Sequence, residues 1–172
     1  MSVSVKANAK DPGYKWGGLA LVLATLSILS ALGFEHIGGY SACELCLQQR
    51  YAYYAGVPLL FLALVLLSGD ERKWAGVLFF IVALAFLANA GLGVYHAGAE
   101  WGYWPGPATC SGGGALGTLD LTAGLADTKP VIPCDQPEIR VLGLSFAGWN
   151  VVTSLIIHIA ALQSAAAAMK RG

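Results

Sequence analysis

The chain has 172 residues, of which 56% are hydrophobic and only 12% are charged, and its formal net charge is zero. Soluble domains usually carry about 25% charged residues, so this composition favours a protein that is embedded in lipid. Because the chain has no excess of basic residues, we expect no nucleic acid among its partners.

Four apolar stretches follow one another along the chain, and each reaches or approaches the roughly 17–25 residues that a helix needs to cross a bilayer. None of them has the polar face that a helix of a soluble bundle turns toward water. We therefore predict an all-α membrane protein, a single domain that is a bundle of four transmembrane helices. The predicted helices cover Gly17–Phe34, Tyr51–Leu67, Trp74–Tyr95 and Leu144–Met169.

The first stretch also has features of a cleaved signal peptide, because lysines precede it and Ala31-Leu32-Gly33 at its end resembles a signal-peptidase site. Its apolar core is longer than the roughly 7–15 residues that are usual in signal peptides. We therefore expect the stretch to remain in the protein as the first membrane helix.

Basic residues predict the orientation of the bundle, since lysine and arginine concentrate on the cytoplasmic side of membrane proteins. If the chain crosses four times, seven of them share the side of the two termini: Lys6, Lys10, Lys15, Arg72, Lys73, Lys170 and Arg171. The other side holds only three: Arg50, Lys129 and Arg140. We expect both termini in the cytoplasm and the loops of about residues 35–50 and 97–143 in the periplasm or cell exterior.

The second external loop, residues 97–143, is long and rich in glycine and proline. Loops of this length are usually functional or disordered. Its segment 115–126 carries several leucines among few polar residues, which favours either a short helix on the membrane surface or a mobile linker.

All four cysteines fall in the two external loops, where disulfides persist, and none is expected inside a helix. A bond between Cys110 and Cys134 would close a loop of about 25 residues and add roughly 3.5 kcal/mol of stability, which is a sufficient structural reason for it. A bond between Cys43 and Cys46 closes almost no loop, so this Cys-x-x-Cys pair is better explained by redox chemistry. Zinc sites use the same spacing, but the wide separation of the second pair argues against a four-thiolate site, and we expect no metal.

Arg50 lies four residues after Cys46, one helical turn further along the same face. One interpretation is an interfacial arginine whose charge reaches the membrane surface. The other is a fixed cation that stabilises a thiolate on Cys46 and negative charge on an electron acceptor, with Gln49 as a further hydrogen-bond partner. His96, at the external end of the third helix, is either an ordinary interfacial residue or a contact of the same acceptor.

The electron acceptor follows from the chemistry of the thiols. Oxidation of two thiols to a disulfide releases two electrons and two protons, and the chain has neither a dinucleotide-binding fingerprint nor a haem-attachment Cys-x-x-Cys-His motif. A quinone dissolved in the bilayer could reach the helix ends without a large binding domain. A membrane quinone is therefore the predicted cofactor.

The segment Cys43–Tyr54, CELCLQQRYAYY, resembles the signature of the disulfide bond formation protein B (DsbB) family, in which Cys-x-Leu-Cys-x-x-Gln-Arg opens the second helix. The segments Gly93–Cys110 and Pro133–Asn150 agree as well, so the resemblance covers nearly the whole chain. It implies a multi-pass protein of the bacterial inner membrane. Such a protein reoxidises a periplasmic thioredoxin-fold, DsbA-like thiol oxidase and passes the electrons to a quinone, either ubiquinone or menaquinone.

The same resemblance implies roles for single residues. Cys110 would form the mixed disulfide with the partner, and the electrons would pass from Cys110–Cys134 to Cys43–Cys46. Cys46 would then form the adduct with quinone beside Arg50, with further contacts from Gln49 and His96. Two alternatives stay open: a vitamin-K-epoxide-reductase-like quinone enzyme, in which the Cys-x-x-Cys usually follows the loop pair, and a four-span scaffold with two structural disulfides.

Overall fold

Four long helices and one short hairpin make up the computed structural model, which describes residues 11–107, 110, 134–135, 137 and 139–170. Each helix is long and apolar enough to cross a membrane. The predicted all-α bundle of four membrane helices is therefore confirmed. In chain order the elements are α1 (Pro12–His36), α2 (Glu44–Ser68), α3 (Arg72–Glu100), β1 (Arg140–Val141), β2 (Leu144–Ser145) and α4 (Phe146–Met169).

Side-chain caps set the first residues of three helices. The carboxylate of Asp11 accepts a hydrogen bond from the Gly13 amide ahead of α1, and the Ser145 hydroxyl accepts one from the Gly148 amide ahead of α4. At the start of α2 the cap is a cysteine, because the Cys43 sulfur accepts a hydrogen bond from the Cys46 amide. Each cap satisfies an amide that the first turn of a helix would otherwise leave unpaired.

The second helix begins at Glu44, seven residues before the predicted Tyr51. The prediction followed the uncharged stretch alone, whereas the cap at Cys43 adds almost two polar turns to the helix. Residues 44–50 therefore belong to α2 and not to the first external loop. Cys46 lies inside the helix, so the expectation that no cysteine would do so is wrong.

The other boundaries move less. Helix α1 begins at Pro12, before the predicted Gly17, and α3 continues to Glu100, past the predicted Tyr95. Helix α4 begins two residues after the predicted Leu144, because Leu144 pairs with Val141 in the antiparallel hairpin of β1 and β2. The segment 115–126 lies outside the described residues, as do Lys6, Lys10, Lys129 and Arg171.

The helices form a ring in which α1 packs on α2 and α4, and α3 packs on the same two neighbours. Lipid is as apolar as a leucine side chain, so membrane helices associate mainly through close packing, which small residues permit. Gly56 of α2 shows this closeness, since a Cβ at that position would lie 2.6 Å from the Phe86 ring of α3. Phe86 has no exposed surface and fills the centre of the bundle.

A cluster of polar side chains joins three helices inside the bundle. The Tyr53 hydroxyl of α2 donates to the Asn150 side-chain oxygen of α4 at 2.7 Å. From α3, Asn89 donates to the Ser154 hydroxyl of α4 at 3.0 Å. Polar groups at membrane depth must find partners within the protein, so these bonds select one arrangement of the helices.

We expect Gly56→Ala to lower the midpoint of thermal unfolding in detergent, because the new methyl group forces the Phe86 ring out of its position. The cost of such overpacking is about 1–3 kcal/mol. Gly91→Ala in α3 is the matched control, since a Cβ there meets nothing within 4 Å. Equal midpoints for the two variants would contradict the packing described for Phe86.

Candidate active site

The start of α2 places two thiols side by side. Cys43 is the cap and Cys46 lies in the first turn, so the chain folds the Cys-x-x-Cys sequence back on itself and brings the sulfur atoms to 2.9 Å. Neither cysteine is in a disulfide, and Cys43 is 6% exposed. The pair is therefore reduced, close enough to form a disulfide, and largely shielded from solvent.

The second cysteine pair packs directly against the first. Cys110 and Cys134 form a disulfide, and both are buried. Together with Cys43 and Leu45 they make one apolar cluster, on which the Cys46 side chain also packs. Exchange between a thiol and a disulfide requires the sulfurs to meet. The fold brings Cys43–Cys46 and Cys110–Cys134 together, although the two pairs lie far apart in the sequence.

His96 of α3 lies against the Cys43 thiol and is 2% exposed. Its Nε2 atom is 3.6 Å from the Cys43 sulfur, and its Nδ1 atom is 2.9 Å from the amide nitrogen of Gln49. With the amide donating to Nδ1, the ring carries its proton on Nε2, which faces Cys43. Gln49 thus orients the ring so that a proton donor points at the thiol.

The pKa of Cys43 is lowered from 9.0 to about 5. The main cause is the hydrogen bond that joins the sulfurs of Cys43 and Cys46, with a smaller contribution from His96, and together they outweigh burial, which raises the pKa. In the reduced site the negative charge therefore resides on Cys43. One interpretation of the sequence placed a thiolate on Cys46 beside Arg50, and this role of Cys46 stays a prediction.

Arg50 points into the same region and is paired with an acidic residue. Its guanidinium forms an ion pair with the Glu35 carboxylate from the last turn of α1, and the arginine side chain is only 12% exposed. A largely buried, paired arginine keeps its charge within the protein, an arrangement that favours the fixed-cation interpretation of Arg50 over the interfacial one. The sequence analysis missed Glu35, although its position directly after the first apolar stretch was a usable signal.

A cavity of about 510 Å³ joins these groups. Ligand sites usually have volumes of about 300–1,000 Å³ and mostly apolar walls with a few polar groups. Residues of α1 and α4 supply the apolar wall, among them Leu23, Leu26, Phe146 and Trp149. The lining includes most of the predicted site residues: Cys43, Cys46, Gln49, Arg50, His96 and Cys134.

Cys110 does not line the cavity and belongs to the buried cluster with Cys43 and Cys134. Glu100, which the sequence analysis also missed, does line the cavity, one helical turn after His96. The ligand atoms of Cys43, Cys46 and His96 all lie within 4.8 Å of one another, which is close enough for one metal ion.

The chain is similar to a known group of membrane proteins. The family model of the disulfide bond formation protein DsbB matches residues 15–164. The disulfide bond formation protein B of Aromatoleum aromaticum is 30% identical over 164 residues, which cover 89% of this chain and 94% of the relative. The protein of the same name from Herminiimonas arsenicoxydans is 28% identical, over 85% of this chain and 91% of the relative. No solved structure matches the chain significantly.

We expect alkylation of Cys43 in the reduced, metal-free protein to stay fast at neutral pH and to slow only as the pH falls through about 5. The thiolate is the reactive form, and it is lost when the pH passes below the pKa. In Cys46→Ala the thiol donor is absent, so the inflection should move toward the ordinary value of 9.0. Mass spectrometry of the labelled peptide gives both profiles, and an unchanged inflection in Cys46→Ala would contradict the assigned hydrogen bond.

Proposed function

The chain belongs to the DsbB family of bacterial multi-pass membrane proteins for disulfide bond formation, and we propose that it transfers electrons from a dithiol protein to a membrane quinone. The main support is the cavity in which Cys43–Cys46, Arg50 and His96 converge, with Cys110–Cys134 packed behind the first pair. The overall reaction is that a dithiol and a quinone become a disulfide and a quinol.

The proposed donor is a thioredoxin-fold thiol oxidase in its reduced form. One of its thiolates attacks the Cys110–Cys134 disulfide, a mixed disulfide forms with Cys110, and the second donor thiol then releases the oxidised donor. This leaves Cys110 and Cys134 reduced. Exchange with an oxidised Cys43–Cys46 pair restores their disulfide and moves the two electrons to the cavity. The single buried cluster that holds all four cysteines supports this direct exchange.

The cavity is the proposed quinone site, and its mostly apolar wall of α1 and α4 residues suits a ring with an isoprenoid tail. When bound, a quinone accepts two electrons and two protons. Arg50, held in position by Glu35, keeps a positive charge at the cavity wall, where an acceptor gains negative charge. His96 presents its Nε2 proton toward Cys43, and Gln49 keeps the ring in that orientation.

The orientation that we propose places this site on the periplasmic side of the inner membrane, with both termini in the cytoplasm. Among the described residues, Lys15, Arg72, Lys73 and Lys170 lie at the helix ends away from the site, and this distribution supports the assignment. The 25 residues of α2 measure about 37 Å, against roughly 30 Å of hydrocarbon. A helix of this length can hold Cys46 near the periplasmic boundary, within reach of lipid and of a soluble partner.

We expect purified protein to reduce ubiquinone or menaquinone analogues when it receives a reduced thioredoxin-fold oxidase, and Cys46→Ser to abolish this turnover. The serine cannot form the second disulfide, so the electrons have no path to the cavity. Loss of quinone absorbance measures the rate. Normal turnover in Cys46→Ser would refute the proposal, as would wild-type protein that reduces neither quinone with any dithiol donor.

We expect Arg50→Met to raise the KM for quinone by about tenfold or more, because the charge-assisted contact at the cavity wall is removed. The KM for the donor protein should change little. Lys73→Met is the matched control, since Lys73 is exposed at the opposite end of the bundle and does not line the cavity. An equal effect of the two substitutions, or an effect of Arg50→Met on the donor alone, would exclude this role of Arg50.

A further inference from the structure

Three metal-ligating atoms face one another in the reduced site. The sulfurs of Cys43 and Cys46 and a ring nitrogen of His96 lie within 4.8 Å of one another. Bond lengths to tetrahedral zinc are about 2.3 Å for sulfur and 2.0–2.1 Å for nitrogen, so a sulfur and a nitrogen on one ion are about 3.6 Å apart. The distance from the Cys43 sulfur to the His96 Nε2 is 3.6 Å.

The two sulfurs require a small adjustment. They are 2.9 Å apart, whereas two thiolates on one tetrahedral ion are separated by roughly 3.8 Å. Cys46 lies in the first turn of α2 and its side chain is not fully enclosed, so a change in its side-chain torsion can supply the difference. The pair therefore has the spacing of a metal-binding Cys-x-x-Cys after a shift that leaves the backbone in place.

Glu100 is the candidate fourth ligand; it lies next to His96 but outside the close group of Cys43, Cys46 and His96. Its side chain is 4% exposed, and its Oε1 atom is 3.7 Å from the His96 Nε2. Its Oε2 atom has no hydrogen-bond partner among the described residues. Buried carboxylate oxygens are rarely left without a partner, and an unpaired one beside an imidazole suits a cation. A rotation of the Glu100 side chain toward the two sulfurs would bring this oxygen to the ion. Glu100 also lines the same cavity as the other three residues.

We propose that the reduced protein binds one thiophilic divalent cation, Zn²⁺ or a similar ion, through Cys43, Cys46, His96 and Glu100. Binding to the Cys43 thiolate and to Cys46 displaces the one thiol proton that remains, that of Cys46, and transfers no electrons. Nε2 then carries the metal and Nδ1 the proton, and the Gln49 amide turns its oxygen toward Nδ1, as partners of metal-bound histidines do. The Cys43–Cys46 disulfide lacks both thiolates, so the site exists only in the reduced state.

The consequence is an inhibition that depends on the redox state. Thiolates that are bound to zinc are not available for exchange with Cys110–Cys134 or for transfer of electrons to an acceptor in the cavity. This consequence rests on the proposed function. Binding of the cation itself rests only on the four side chains.

Cobalt is a suitable probe, because Co²⁺ occupies zinc sites and its thiolate complexes absorb visible and near-ultraviolet light. The full chain in detergent is reduced, freed of reductant without oxygen, and titrated with Co²⁺. We expect one ion per chain, with a charge-transfer intensity that corresponds to two thiolates. Protein whose Cys43 and Cys46 have been oxidised to a disulfide should show no such band.

Two variants test the other ligands. His96→Ala and Glu100→Gln should each weaken Co²⁺ binding by about tenfold or more. His36→Ala is the matched control, since His36 is exposed at the end of α1 and contacts the Leu32 carbonyl, and its binding should equal that of the wild type. Circular dichroism of each variant shows whether the fold is retained. Folded His96→Ala protein that binds Co²⁺ as tightly as the wild type would overturn the proposal.

Other outcomes are equally decisive. A band in the oxidised protein, or an intensity that corresponds to three or four thiolates, would exclude this set of ligands. Zn²⁺ should also stop quinone reduction, and a chelator should restore it. If the protein reduces no quinone under any condition, the cobalt titration still tests the metal site. The failure of one proposal is thus distinguishable from the failure of the other.

Discussion

The hydrogen bond from the Cys46 amide to the Cys43 sulfur is the interaction on which the site depends. It measures 3.3 Å and makes a cysteine the cap of α2. Because the helix begins at this point, Gln49 and Arg50 follow Cys46 by three and four residues, and both lie next to it on the helix surface. The Cys43 sulfur thus has two roles. It accepts the hydrogen bond of a backbone amide at the start of α2, and it is a thiol at the edge of the cavity.

Two pairs of charged or titratable groups lie at this end of the bundle. Arg50 of α2 is joined to Glu35 of α1, and His96 of α3 lies beside Glu100. Burying a single charge in an apolar environment is costly, whereas a paired charge retains much of its stabilisation. The Arg50 pair ties α2 to α1, and the bond from Gln49 to His96 ties α2 to α3. The polar groups around the cavity therefore also fix how the helices meet.

The central part of the bundle is held by a different combination of forces. Small residues such as Gly56 let the helices approach, large rings such as Phe86 fill the space between them, and hydrogen bonds of Tyr53 and Asn89 to α4 select their rotation. None of these interactions requires water, which suits a protein whose outer surface is apolar. This packed centre holds the helix ends in position, and the four cysteines lie together at the end of the bundle where α2 begins.

The sequence by itself determined the four helices, the class of the protein and the residue types of the redox pair. These properties are local: an apolar stretch of sufficient length, a Cys-x-x-Cys spacing and a signature of about twelve residues are read without knowledge of contacts. The first residues of the helices were less predictable. Helix α2, for example, begins at a cysteine cap, which does not appear in the hydropathy of the sequence. Only the tertiary structure decided the contact between the two cysteine pairs, the partner of Arg50 and the surroundings of the thiols, including the buried Glu100. The residues concerned lie far apart in the chain, as His96 and Gln49 do. They come together only when the helices pack, and no short stretch of sequence shows which residues will meet.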